Sequence, residues 1–159
     1  SDVCSSDLSV LLFIPCFIFG QTLEDFNNIV DFNATISSLS EAAEKGNVEA
    51  LPEKIVVIDG TVSERYVIQS GTENFVGQLN IVGGEWIGVE DVIMYQCILL
   101  LQGEKFSNSI PARRTRNPHP DEIQVNSRIM VVGKVLALHQ LEDGEIVPVL
   151  DAYYIRKVE

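Results

Sequence analysis

Positive charge is what this sequence has least of. Against 23 acids it sets 11 lysines and arginines, a formal net charge of −12. A surface of that sign repels polyanions, so the charge count disfavours nucleic acid as a partner. It favours a soluble, monomeric chain. Cysteine is also scarce. Three occur, Cys4, Cys16 and Cys97, and the first two fall in a leader stretch. The one left forms no internal disulfide, so the fold rests on packing. No apolar run reaches the ~20 residues that a membrane helix needs. The two histidines, His119 and His139, lie far apart, and neither has metal-ligand spacing around it. His119 has Asp121 and Glu122 close by, but three ligand types on one loop make a weak metal pattern. No metal or cofactor is expected.

The ends are read first. The chain does not begin with Met. Residues 1–8, Ser-Asp-Val-Cys-Ser-Ser-Asp-Leu, resemble the in-frame translation of a short-read sequencing adapter and are set aside as a tag would be. Residues 9–20 are apolar and suit the core of a signal peptide, with Gly20 before the cleavage point and Gln21 as the first mature residue. Cys16 raises a lipid anchor as one alternative, although Pro15 before it fits that pattern poorly, and a buried or membrane helix is the other. The expectation is export, to the periplasm or beyond, with no stable membrane span in the mature chain.

Residues 21–52 read as a helical arm. Phe32, Ile36, Leu39 and Ala43 recur at steps of four, three and four, one face of a helix. Asp31 or Asn33 caps its start, Gly46-Asn47 ends it, and Pro52 blocks continuation. The helix is expected to pack on the remaining domain or plug one of its ends. Asn33-Ala34-Thr35 matches a glycosylation acceptor, which carries little weight inside a helix.

From residue 53 the pattern turns to strands. Residues 54–68 are β-branched and interrupted by Gly60, expected to mark a bulge or bend. A loop occupies residues 69–74. Residues 75–82 alternate, and Gly83-Gly84 is expected to turn the chain. Trp86 is the only tryptophan. Residues 91–101 are nearly all apolar and read as a buried strand or a buried helix, with Gly103 and the hairpin context favouring strand. Cys97, inside that run, reads as a small buried hydrophobe, since no histidine lies near it in sequence to activate it.

Residues 107–126 form a loop of unusual length with three prolines. Arg113, Arg114 and Arg116 sit within four positions of it. They pair either with the protein's own acids, such as Asp121 and Glu122, or with an external anion.

Residues 127–157 describe a long hairpin. Asp143-Gly144 is a strong turn signal between apolar runs. Gly133 bends the first strand, and Pro148 is expected at an edge or bulge. The pattern Val131-Val132-Gly133-Lys134-Val135, a polar turn, then residues 144–155 with Val147-Pro148-Val149-Leu150, resembles the last hairpin of an OB-fold domain. With the long strand around Gly60 and two further strands, the resemblance covers residues 53–158. It departs at residues 107–126, where that family often has a helix. It implies a mainly β architecture: a five-stranded OB-like Greek-key barrel over residues 53–159 with an N-terminal amphipathic helix.

The resemblance also implies a binding face on the second and third barrel strands, residues 75–82 and 91–101, flanked by loops 69–74 and 140–145. The candidate binding residues are Arg113, Arg114, Arg116, Trp86, Tyr66 and Tyr95, with Phe75 and Phe106 as further aromatics that could be core. No catalytic residue is expected. The leading expectation is an exported, non-catalytic binding module for an unknown protein or small ligand. One alternative is single-stranded nucleic-acid binding through the three arginines and the aromatics. The other is a metal-dependent nuclease drawing on Asp59, Glu64, Arg65, Glu90 and Asp91.

Overall fold

The computed structural model describes residues 23–46, 48–71, 73–88, 91–113 and 116–158. The adapter-like, signal-peptide and lipid-anchor readings of residues 1–20 therefore lie outside the described residues. Helices α1 (Leu23–Ile29) and α2 (Ile36–Glu44) come first, with the two-residue strand β1 (Val30–Asp31) between them. Five long strands follow: β2 (Ile55–Gln69), β3 (Val76–Ile87), β4 (Asp91–Gln102), β5 (Arg128–Gln140) and β6 (Ile146–Lys157). No described helix is long and apolar enough to cross a membrane.

The strands lie in the order β1-β2-β3-β4-β6-β5, and β2 also pairs with β5. That last pairing closes the five long strands into a barrel. β2 is long enough to serve both neighbours: Ile55 to Thr61 pair with β5, and Thr61 to Gln69 pair with β3. β4 and β6 run parallel, while the other barrel pairs are antiparallel. Strands β2, β4 and β6 thus point one way. Their C-terminal ends define an upper rim, with the loop after β2 and the long connection from β4 to β5. The lower rim carries the β3–β4 and β5–β6 turns.

Alternation along each strand fills the interior. Val56, Ile58, Val62, Leu79, Ile81, Cys97, Leu99, Leu101, Ile129, Val131, Leu150 and Ala152 form one buried cluster. Removing each large aliphatic side chain from water is worth about 1.5–3 kcal/mol. The β5–β6 turn forms as the Asp143-Gly144 signal requires: Gly144 has φ 94°, and Leu141 N–H donates to Glu145 O at 2.8 Å. Pro148 lies opposite Leu138, one residue before the β4 ladder begins at Val149, where its missing N–H costs nothing.

Both barrel ends are plugged. At the lower end, α2 buries Ile36, Leu39 and Ala43, and Ser40 Oγ donates to Gln96 O at 2.9 Å. The helix starts later than its periodicity suggests. Thr35, not Asp31 or Asn33, is the cap, in a reciprocal capping box with Ser38. Phe32 falls before that cap and is exposed. At the upper end, Phe106, Ile110 and Ile123 enter the core cluster. The proline-rich connection is therefore a stopper at its two ends, standing where the resembling family often has a helix.

Two glycine readings are corrected. Of the bulge or bend expected at Gly60, the bulge lies elsewhere, with register shifts in β2 at Val62/Glu64 and Val67/Gln69, while Gly60 precedes Thr61, where β2 passes from β5 to β3. Gly60 is needed because a Cβ there would lie 2.6 Å from Ile36 Cδ1. Gly83-Gly84 does not turn the chain. The strand continues through it to Ile87, Gly83 lies beneath Ile36, and the turn comes after Gly88, whose φ is 71°.

Candidate nucleic-acid interface

The outer face of β3 and β4 is built of amides and aliphatics. Gln78 Nε2 donates to Asn80 Oδ1 at 2.9 Å, and Asn80 Nδ2 donates to Glu64 Oε2 at 2.7 Å. Gln102 Nε2 donates to Asp151 Oδ1 at 3.3 Å. Ile98 packs with Val147 and Val149 beside them. The amides are occupied with one another and with two acids.

The aromatics expected on that face are scattered. Tyr66 is exposed on β2 opposite Gln78, and Glu64, accepting from its hydroxyl, raises the phenol above its ordinary pKa. Trp86, 70% exposed, stands near the tip of the β3–β4 hairpin. Tyr95 is buried above α2, and Phe75 and Phe106 belong to the core.

The arginine loop separates from the acids proposed to neutralise it. Glu122 is buried and pairs with Arg65 at 3.1 Å, and Asp121 lies 3.5 Å from His119 Nδ1. Arg113 and Arg116 are exposed with no ion pair among the described residues; Arg114 lies outside them. The segment just before Arg113, Ile110 to Ala112, lines a cleft with Arg65, Tyr66 and Ile68. The nuclease set is not gathered. Asp59 pairs with Arg128, Glu64 with Asn80, Arg65 with Glu122, and Asp91 is at the hairpin tip, while Glu90 is outside the described residues. Among the described residues no group of three or more His, Cys, Asp or Glu could hold a metal.

The upper rim carries an arrangement that the sequence reading missed. Val132 pairs with Tyr154 and Gly133 with Ala152, so Tyr153 is an extra residue in β6. This bulge turns two consecutive tyrosines outward, 41% and 52% exposed. It depends on Gly133, where a Cβ would lie 2.5 Å from Asp151 O. Just beyond stand Arg156 and Lys157, neither in an ion pair among the described residues. Lys105 reaches over from the 3-10 turn Glu104–Phe106, donating to Tyr153 O at 2.9 Å with its ammonium 4.8 Å from the Phe106 ring centroid. Together these residues line a concavity of about 900 Å³ with Ser109, Pro120, Asp121 and Ile123. The signal was present in residues 153–157, Tyr-Tyr-Ile-Arg-Lys. Two adjacent aromatics cannot both face inward on an alternating strand.

No protein-family model matches the sequence. No curated protein matches it either. Among solved structures the chain is similar to a small single-stranded DNA-binding protein from Streptomyces coelicolor, at 12% identity over 68% of this chain and 94% of that one, TM-score 0.44. It is similar to the single-stranded DNA-binding protein of Thermus aquaticus, at 15% identity over 66% of this chain and 49% of that one, TM-score 0.44. A third is the Plasmodium falciparum SSB in complex with ssDNA, at 9% identity over 66% of this chain and 94% of that one, TM-score 0.46. The strand order and the closing β2–β5 pairing decide the architecture.

The barrel is an OB fold.

The likeness is one of fold; it says nothing of which residues meet a ligand here. It does bear on the expectation of a module that avoids nucleic acid, which is corrected. The solved structures similar to this OB barrel are named for single-stranded DNA. The physical error lay in averaging charge. A net charge of −12 hides an uneven surface. Glu41, Glu44 and Glu85 lie near Tyr95 at the lower end and, after burial, help raise its phenol above the ordinary value. Burial, then Asp143 and Glu44, raises the Glu145 carboxyl in the same region. Lys105, Arg156 and Lys157 collect at the upper end of the OB barrel.

Proposed function

We propose that this chain binds single-stranded nucleic acid without catalysis, through the cleft on the upper rim of the barrel. The observation that carries the reading is the meeting of exposed Tyr153 and Tyr154 with Lys105, Arg156 and Lys157 in one concavity. Phosphates pair with Arg156 and Lys157, which form no ion pair among the described residues. Bases stack on the tyrosine faces, at about 1–3 kcal/mol per base. Only an unpaired strand offers those faces, because a duplex keeps its bases stacked internally. The acidic lower end repels the backbone and so favours approach from the rim.

Titration of a fluorescently labelled single-stranded oligonucleotide at low salt tests the reading. Binding that weakens linearly in log salt supports it, since each neutralised phosphate releases counterions. No binding at the lowest salt overturns it. Export stays part of the proposal, supported by the apolar character of residues 9–20; finding the protein in the cytosolic fraction of expressing cells removes that part alone.

A further inference from the structure

The lower end of the barrel carries a projecting ribbon that the functional reading does not use. β3 pairs with β2 only as far as Val82, and β4 pairs with β6 only from Ile98. Beyond those points the β3–β4 hairpin continues alone, from Gly83↔Tyr95 to Ile87↔Asp91. Trp86 faces Val92 across the ribbon, with Met94 one rung below on the same face, and all three are exposed. Gly84, opposite Met94, leaves that face low. On the other face Ile87 and Ile93 are also exposed, interleaved with Glu85 and Asp91. A ribbon tip that is apolar on both faces and acidic along one is costly to leave in water.

The opposite end of the same molecule offers the complement: a cleft of about 900 Å³ of mixed character, lined by Phe106, Tyr153 and Tyr154 together with Lys105, Arg156 and Lys157 and one acid, Asp121. We propose that the hairpin tip of one copy docks into the upper cleft of a second copy. Trp86 and Ile87 enter among Phe106, Tyr153 and Tyr154, and Glu85 and Asp91 meet Arg156 and Lys157. Charge complementarity selects this occupant, because the cleft sets Lys105, Arg156 and Lys157 against one acid, Asp121, which lies 3.5 Å from His119 Nδ1, and the tip brings two more acids. The two surfaces are at opposite ends of the barrel, so the contact is head-to-tail and leaves a free tip and a free cleft on every pair. It repeats into short chains rather than closing as a two-fold dimer. This departs from the monomer that the sequence suggested.

Sedimentation of the full chain without oligonucleotide tests it. The expected result is a weight-average mass that rises above the 17.6 kDa of one chain as concentration increases and falls back in high salt, where the ion pairs are screened. Trp86 is the only tryptophan, so its emission reports the docking directly, shifting to shorter wavelength on association. The double variants Glu85→Lys with Asp91→Lys, and Arg156→Glu with Lys157→Glu, are each expected to stay monomeric. Their equimolar mixture is expected to associate into alternating chains, because the unchanged tip of one meets the unchanged cleft of the other and the lysine tip meets the glutamate cleft. A single monomeric species up to ~1 mM overturns the proposal. So does a mixture no heavier than its parts. Because mass and emission are read without nucleic acid, a protein that self-docks but binds no oligonucleotide overturns only the functional reading, and the reverse result overturns only this one.

Discussion

Arg65 Nη1 donates to Glu122 Oε1 at 3.1 Å and to the carbonyl of Ile123 at 2.7 Å, so one guanidinium ties the long connection to the end of β2. Both side chains are largely buried, and Glu122 Oε2 has no hydrogen-bond partner among the described residues. Removing one member of a buried pair leaves the other charge stranded, at a cost of about 3–5 kcal/mol. Arg65→Met is therefore expected to destabilise the fold by that order. Glu122→Gln is expected to cost less, since the guanidinium it leaves without a countercharge is the more exposed partner and still donates to the amide oxygen and to Ile123 O. Urea unfolding of both variants measures the difference. Equal losses would mean that the pair is not what holds the connection down.

Gly60 is held by a helix 24 positions upstream in the chain, and that makes a second prediction. A Cβ at position 60 would meet Ile36 Cδ1 at 2.6 Å and Val82 O at 3.1 Å. Overpacking of this kind costs about 1–3 kcal/mol, so Gly60→Ala is expected to lower the urea midpoint accordingly. Ile36→Val deletes the clashing methyl and costs about 0.5–1.5 kcal/mol alone. In the Gly60→Ala background it is expected to recover part of the loss. A double-mutant cycle with no coupling would show that α2 does not rest on Gly60.

How much of this was legible in the sequence follows from how local each cause is. The strands and the Asp143-Gly144 turn were legible because β-branched runs and a positive-φ glycine act on their own few residues. Gly83-Gly84 misled because a glycine pair signals a turn locally, whereas here Gly83 lies against Ile36, far away in sequence, and Gly84 lies close under Val92 and Met94 of the facing strand. Phe32 kept the helical period going past a cap that only Thr35 and Ser38 together could set. The upper cleft was illegible for the same reason. Its tyrosines are turned out by a bulge that Gly133 permits from the neighbouring strand. The segregation of charge depends on which way each strand runs, which no residue count contains. The arginine cluster was visible, but its supposed partner Glu122 was already committed to Arg65.

Burial sets a pH dependence. Cys97 is fully inaccessible, and burial pushes its thiol far above the ordinary value of 9.0. In the unfolded chain that thiol ionises near its ordinary value; in the folded chain it stays protonated. Above pH 9.0 the folded state therefore holds more protons, and the free energy of unfolding falls as pH rises, by up to about 1.36 kcal/mol per pH unit from this group. Below pH 9.0 the group contributes no slope. Cys97→Ala is expected to flatten the onset of alkaline destabilisation, measured as urea midpoints across a pH series. An unchanged onset would assign it to other groups.

The two tyrosines and the two cations of the rim are expected to fail in different ways. Tyr153→Ala and Tyr154→Ala each remove a stacking surface and should weaken single-stranded oligonucleotide binding by about 1–3 kcal/mol, with the salt dependence unchanged. Arg156→Gln removes a phosphate contact. It should weaken binding for every base sequence alike and make the slope of log affinity against log salt shallower by about 0.7, the value for one phosphate on a single strand. Both kinds of variant change exposed side chains at the end of β6, so unfolding curves should match those of the unmodified protein. If Arg113→Ala and Arg116→Ala reduce binding while the rim variants do not, the strand runs over the arginine loop instead, past Tyr66, and the cleft is not the site.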